Sequence, residues 1–493
     1  MKYKVWGVMA LLAALVLSIA APAAIADSSA SQRYHQHLEA ALRPEDAPTD
    51  GSFATHLPLL VIDTDDVEIP GAAILDEKNK LLGYTTTDTG ESLISAQLDV
   101  MDSSEHCNAP TDTPTLSSAV TIRVRGNSSR AFDKKNYLIK LVDETGANAP
   151  QSLAGMDAHH EWALHGPFLD KSLIRNYMWY NIAGEVMDYA PNVRFCELIL
   201  NGEYMGLYVL TETITAGQDG SRLELTVSKK NNTYSGYCLR LDRGSSNDTA
   251  NITSFTEYAL RSAQIKDIVY PGRANLTEEM AEAIRQDFSD FEKALYSYDY
   301  NASDHGYETM TDVESFVDYF LLNELTCNYD AGWLSTYIYK GIDGRFRMCV
   351  WDFNSACDNY QHSFMDTQGF QMQNCLWYFM LMKEADFTDR IIERYHYLRT
   401  TVFSEEYLDA YIDETIAYLG PAIDRNFEKW GYTLTEEYNM LQPAERNPRS
   451  NAEAVEDMKD FLQTRIRWMD ENIETLRQYS ADSKVKKFNE HTD

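Results

Sequence analysis

The sequence predicts an α+β protein on three observations: apolar residues recur at every second position through the first half, they recur at helical spacing in the later part, and no Gly/Ser or Pro linker divides the two. The strands come first. Residues 57–63 (LPLLVID) are an apolar strand signal, and a further strand is expected at 96–101 before a polar, Pro-containing loop over 102–116. Residues 119–125 alternate cleanly, with Val120, Ile122 and Val124 on one face and Thr121, Arg123 and Arg125 on the other. The loop 126–135 returns the chain into a strand at 136–141, and strands at 194–200 and 206–211 are joined by Asn201-Gly202, a dipeptide suited to a tight hairpin turn. The first half therefore reads as a sheet-rich, antiparallel lobe.

The later part reads as a helix-rich lobe. Val313, Phe316, Val317, Phe320 and Leu321 fall at i, i+3, i+4, i+7 and i+8, with Thr311 and Glu314 spaced as a capping box. Helical patterns recur at 278–296, 386–401, 405–419 and 452–477, and no internal repeat stands out.

The N-terminus reads as an export signal. Lys2 and Lys4 precede an apolar run over 5–20, and Ala24-Ile25-Ala26 is a small-residue cleavage motif. A membrane anchor is the competing reading, but the run falls short of the roughly 20 residues a spanning helix needs. Cleavage after 26 removes two lysines and no acid, so a net charge of -33 deepens to -35. Such a surface repels phosphate backbones, which argues against nucleic acid and anionic membrane as partners, and it attracts divalent cations. Seven scattered cysteines, never spaced C-x-x-C, indicate neither a zinc knuckle nor a disulfide-dense scaffold. His160-Glu161 is followed by His165 rather than by a His at 164, so the HExxH zinc pattern misses by one residue and a satisfied loop or core histidine is the better reading. The sequence has no G-x-S-x-G elbow, Walker A loop, G-x-G-x-x-G or EF-hand loop.

The chemistry concentrates at two aspartates. A helix ending near Glu324 runs into Asn328-Tyr329-Asp330, then a strand at 335–340, a GIDG turn, and a returning strand at 345–351 that ends at Asp352. Pairing Lys340 with Arg345 sets Trp333 opposite Asp352 and brings both carboxylates to the open end of one hairpin. Phosphoryl transfer needs one acid to orient the attacking hydroxyl and another to hold the metal that bridges the phosphates. Protein kinases carry a catalytic-loop Asp, a hairpin and a metal-binding Asp in that order, although turn and capping uses of Asp produce the same spacing. A second element is the loop Arg125-Gly126-Asn127-Ser128-Ser129, whose amides and hydroxyls could cradle phosphate, leading to Lys134, Lys135 and the strand residue Lys140. A solvated hairpin loop with edge lysines is the bland alternative.

RGNSSRAFDKKNYLIKL (125–141), DKSLIRN (170–176), GEYMGLYVLTETI (202–214), NYDAGWLSTYIYK (328–340) and WDF (351–353) together resemble the CotH kinase family, named for a spore coat protein H. The resemblance spans roughly 116–475 and implies an atypical protein-kinase-like fold that uses ATP and a divalent metal, Mg or Mn, to phosphorylate Ser in secreted or coat proteins. Asp330 resembles the family's catalytic aspartate and Asp352 its metal-binding aspartate. Lys140, or else Lys135, corresponds to the phosphate-binding lysine, with Glu212 as its carboxylate partner, and Asp170, Lys171 and Arg175 shape the site. Two positions depart from the family pattern: Asn354 stands where a second acid is usual, and Ser335 where Asn is usual five residues after the catalytic Asp. Asn still ligates Mg through its carbonyl, with less charge.

The expected organisation is a signal peptide (1–26), a β-rich extension (27–115), a kinase-like domain (116–478) and a polar tail (479–493). The expected function is an exported ATP- and metal-dependent Ser kinase whose partner is a protein substrate, located outside the cell, on its surface or in a spore coat. The alternative is a catalytically weak or inactive surface, coat or adhesion protein on the same scaffold. A third possibility, metal-assisted hydrolysis, would use the same aspartates.

Overall fold

Period-two alternation in the first half closes on itself. Seven strands, β1 (Leu59–Asp63), β2 (Ile94–Met101), β3 (Leu116–Arg125), β4 (Asn136–Val142), β5 (Glu161–His165), β6 (Val193–Leu200) and β7 (Glu203–Glu212), form a closed barrel in the order β1-β2-β3-β4-β5-β7-β6. Its pairs are antiparallel except β1 with β6, which run parallel and complete the ring. Closure removes the exposed edges that an open sheet would leave. The predicted inward residues Val120, Ile122 and Val124 of β3 meet Leu60 and Ile62 of β1 and Tyr137, Ile139 and Leu141 of β4 in a core of their own. Asn201 and Gly202, at φ 49° and 78°, make the turn between β6 and β7 and pair Leu200 with Glu203.

The computed structural model describes residues 33–48, 51–214, 223, 225–242, 248–260 and 265–481. The expected signal peptide and most of the expected polar tail lie outside the described residues. The chain divides into Met1–His35 and Gln36–Asp493. Residues 33–35 of the first unit form no regular element, and all else described here belongs to the second. No described helix is long and apolar enough to cross a membrane. All seven cysteines are free.

A second, five-stranded sheet contains β8 (Tyr237–Asp242), β9 (Asn251–Ile252), β10 (Ile265–Tyr270), β11 (Thr336–Lys340) and β12 (Phe346–Cys349), in the order β9-β10-β8-β11-β12. The main helices are α1 (Arg175–Val186), α2 (Glu278–Tyr296), α3 (Val313–Thr326), α4 (Ala385–Arg399), α5 (Glu405–Leu419), α6 (Pro421–Trp430) and α7 (Asn451–Asn472). One large core joins α1, the outer faces of β6 and β7, the second sheet and the later helices, through residues such as Tyr177, Phe195, Val209, Leu239, Phe320 and Ile338. The protein is therefore α+β, but sheet and helix are less segregated than the change of period suggests, because the second sheet belongs with the helices. The boundary expected at 116 coincides with the first residue of β3, and β1 and β2 from the preceding segment complete the same barrel.

Two local expectations need correction. The N-cap of α3 is Asp312, whose carboxylate accepts from the Ser315 amide at 3.4 Å. Thr311 instead donates its hydroxyl to the Tyr307 carbonyl at 2.9 Å and bridges to Phe346, and Glu314 pairs with Arg390 at 2.7 Å. Thr311 is thus already committed, and a carboxylate at the next position suits the helix N-terminus. The β11–β12 hairpin pairs Lys340 with Phe346 rather than with Arg345. A longer turn, with Gly344 at φ 79° and the Gly341 amide donating to the Arg345 carbonyl at 3.0 Å, takes up the extra residue. Continued to the open end, this register sets Leu334 rather than Trp333 against Asp352.

Candidate active site

The site grows from the two loops at the open end of the β11–β12 hairpin. Helix α3 stops at Cys327, which adopts the left-handed conformation at φ 44° while its amide donates back to the Asn323 and Glu324 carbonyls. Asn328 follows, and its side-chain amide donates to Asn323 Oδ1 at 3.1 Å and to the Asp352 carbonyl at 3.2 Å. This one side chain ties the loop carrying Asp330 to the loop carrying Asp352. The Asp330 carbonyl accepts from the Trp333 and Leu334 amides at 3.1 and 2.8 Å, which turns the chain into β11; Asp330 is half-buried there. Ser335 enters β11 at φ 48°.

Asp352 has φ 61°, a conformation that costs a non-glycine residue energy and persists where the surroundings over-determine it. Here three groups do so. The Asp352 amide donates to Tyr180 Oη at 2.9 Å, its carbonyl accepts from Asn328, and the next amide, Phe353, donates to Asn176 Oδ1 at 2.8 Å. Burial pushes the Asp352 carboxyl above the usual carboxylate range, and the Arg125 guanidinium opposes that shift. Asn176 also donates through Nδ2 to Asn354 Oδ1 at 3.2 Å, so one side chain grips both ends of the Phe353–Asn354 step. His165, at the end of β5, is hydrogen-bonded to Asn354. Burial drives its pKa down to about 3, so it is the buried, neutral histidine that the missed zinc spacing implied.

The motif at 170–176 forms a buried bracket beneath this segment. Asp170 accepts from the Ser172 and Arg175 amides at 3.0 Å each and pairs with the Arg175 guanidinium, which donates onward to the Ala356 and Cys357 carbonyls at 2.9 and 3.2 Å. Lys171 donates to the Phe168 carbonyl, and burial lowers its pKa to about 7. Of these residues Arg175, oriented by Asp170, holds the backbone that follows Asp352, whereas Lys171 holds its own loop.

The other predicted residues lie along the barrel. Arg125 stands over the Trp351 ring at 5.2 Å, beside Asp352. Asn127 and Ser128 are exposed in the loop after β3, where Gly126 has φ 112° and an added Cβ would lie 2.1 Å from Ser129 Oγ. Lys135 donates to the Arg130 carbonyl at 3.0 Å and so holds its own loop. Lys140 faces outward from β4 and pairs at 3.8 Å with Glu161, its cross-strand neighbour on β5. Glu212 is buried and accepts from Asn192 at 3.4 Å. The carboxylate found against Lys140 is therefore Glu161. Asp352, Asn354 and Arg125 come together, Asp330 is tethered to them through Asn328, and Lys140 with Glu161 lies further along the outer barrel wall.

Sequence reasoning missed Asn176, Tyr180, Asn328 and the pairing of Glu161 with Lys140, whereas His165 stands as the core histidine its spacing implies. Asn176 and Asn328 had a signal, since both stand inside motifs that were singled out. Tyr180 lies one turn beyond Asn176 in a helix whose residues are nearly all buried, so nothing in its pattern marks it.

Asp352 and Asn354 supply one carboxylate and one amide carbonyl, a hard-oxygen pair that fits Mg or Mn where substrate phosphates and water complete the shell. Among the described residues no group of three or more His, Cys, Asp or Glu side chains is placed to hold a metal ion. A family model described as CotH kinase protein matches residues 122–469, more than half of the chain. No curated protein matches it.

Proposed function

This chain belongs to the CotH kinase family, and on that footing we propose that it is an exported kinase that transfers the terminal phosphate of ATP to Ser in a protein acceptor. The kinase-like domain would run over 116–478, with the barrel as the sheet-rich lobe of a kinase-like pair, completed by β1 and β2. The observation that carries the reading is the strained, triply pinned Asp352, held beside Asn354 and joined to the Asp330 loop by Asn328. A half-buried carboxylate held in this conformation by three hydrogen bonds supports a functional role.

In this reading Asp330 accepts or orients the acceptor hydroxyl. Asp352 and Asn354 would hold the metal, which supplies charge neutralisation for the phosphates. Arg125 supplies positive charge next to Asp352, the loop at 126–128 offers amides and hydroxyls, and Lys140, fixed by Glu161, reaches toward the nucleotide from the barrel wall. Glu212 and Lys135 serve as structural supports. Asn176, His165 and Arg175 keep the Asp352 segment in place without touching substrate.

The test is phosphate transfer from labelled ATP to casein-like and self acceptors. Asp330→Ala and Asp352→Ala should each lower transfer by about 10²–10⁴-fold, and incorporation equal to wild type in both would remove the assignment. Ser335 and Asn354 favour a second reading, a weak or inactive surface or coat protein. A wild-type melting temperature that does not move with ATP and Mg or Mn would support it, because any specific ligand stabilises the fold by mass action.

A further inference from the structure

Two of the seven free cysteines stand where the loops that carry Asp330 and Asp352 touch. Cys327 ends α3 just before the Asp330 loop, and Cys357 follows Asp352 in the segment that Arg175 holds. Both side chains are buried, and both residues adopt a left-handed backbone, at φ 44° and 52°. The Cys357 amide donates to the Thr326 carbonyl at 2.7 Å, and that one bond limits how far apart the two residues lie. In a trans peptide a carbonyl oxygen is about 2.8 Å from the next Cα, and an amide nitrogen is about 1.5 Å from its own, so the Cys327 and Cys357 Cα atoms are within about 7 Å of each other. The path also bends at the amide nitrogen, which brings them inside the range of about 4.4–6.8 Å that disulfides span. By contrast, Cys238 and Cys349 flank β11 from either side, two strand spacings or about 10 Å apart, beyond that reach.

The thiols have little to give up. Cys327 Sγ makes only weak contacts, with the Glu324 and Asp366 carbonyls at 3.7 and 3.6 Å. Burial pushes the Cys327 and Cys357 thiols each up to about 12, and Cys357 is among the groups that act on Cys327. Thiols held so far from ionisation are inert once buried. A bond between them therefore forms while the chain folds, and the finished core then shields it from reductant.

We propose that Cys327 and Cys357 are joined by a disulfide when the chain folds in an oxidising compartment, a covalent cross-link between the loops of the two aspartates. Each thiol gives up its proton and one electron and the two sulfurs bond. A small disulfide such as oxidised glutathione takes up both electrons and both protons and leaves as two thiols. The cross-link falls beside Asn328, which already joins the same loops through Asn323 and the Asp352 carbonyl. That it braces a catalytic pair rests on the kinase reading, whereas the bond itself does not.

The experiment is to refold the full chain in a glutathione redox buffer, alkylate it in denaturant without reduction, and map the peptides. Five of the seven thiols should be alkylated, with Cys327 and Cys357 recovered as one linked peptide. Wild type refolded with reductant should melt at a lower temperature than wild type refolded with oxidant, because the cross-link constrains the unfolded chain. Cys327→Ala and Cys357→Ala should each melt alike under the two conditions, and if a variant does not fold, the wild-type map alone decides. Seven alkylated thiols after oxidative refolding, a bridge between any other pair, or an undiminished response to oxidant in either variant overturns the cross-link. The map needs no phosphate donor, so a missing bridge leaves the kinase reading standing, and a bridge in a protein that transfers no phosphate leaves the cross-link and removes the kinase.

Discussion

Two walls of the same barrel follow different rules. On β6 seven of eight residues are buried, because its inner face fills the barrel and its outer face, through Val193 and Phe195, packs on α1. Over its second half β3 alternates strictly between buried and half-buried residues, and its outward set includes Arg123 and Arg125. A strand covered on both faces loses its alternation, whereas one covered on a single face keeps it. The half-covered wall carries Arg125, which stands beside Asp352, so the strand with the plainest two-residue period is the one through which the barrel meets the candidate site.

The sharpest way to break this contrast is to truncate one residue on each wall. Phe195 is fully buried and stacks on Tyr177 with ring centroids 4.1 Å apart. Phe195→Ala should cost about 3–5 kcal/mol in urea unfolding, whereas Arg123→Gln should stay within about 0.5 kcal/mol of wild type. Similar losses at both positions would erase the distinction between the walls.

A smaller effect comes from two adjacent lysines. Lys134 is fully buried under the closed side, donating to the Leu207 carbonyl and Asn426 Oδ1 at 2.6 Å each, and burial holds its pKa well below the ordinary 10.5. Between that depressed value and about 10.5 the unfolded chain binds a proton that the folded chain has released, so stability should climb with pH through the window and level off above it. Measured at pH 7 and 9.5, the wild-type midpoint should gain on that of Lys134→Met by up to about 1.4 kcal/mol per pH unit. Parallel slopes would mean that Lys134 stays charged in the fold. Lys135, only half-buried, should give a much weaker version of the effect.

The smallest expected change is the most specific to the candidate site. Asn176→Ala removes the side chain that holds the Phe353 amide and Asn354 Oδ1. Support of this kind typically alters metal affinity by about 10–100-fold, so the Mg concentration needed to raise the melting temperature in the presence of ATP should increase by about that factor. An unchanged metal requirement would make Asn176 a packing residue only.

Much of this architecture was legible because its signals are local. The alternation at 119–125, the Asn201-Gly202 turn and the helices at 278–296 and 405–419 stand in the structure almost where the periods put them. The cap of α3 and the register of β11–β12 slipped by one residue, since Thr311 and Asp312 are both competent caps and the hairpin turn proved longer than its GIDG signal. Strands β5 and β8 were missed because they are short: EWALH buries four of its five residues and shows no alternation, and YCLRLD alternates only over its last four.

Acting alone, the sequence determined which segments are strand or helix, which face of β3 is polar, and which acids flank the β11–β12 hairpin, because each depends on residues a few positions apart. Tertiary structure alone decided that the barrel closes, that Glu161 rather than Glu212 meets Lys140, and that Asn176, Tyr180 and Asn328 force Asp352 into a left-handed conformation. The hydrogen bonds from Asp352 and Phe353 to Tyr180 and Asn176 join residues more than 170 positions apart. No period or spacing records them, since they exist only once helix α1 and the second sheet have packed into a common core.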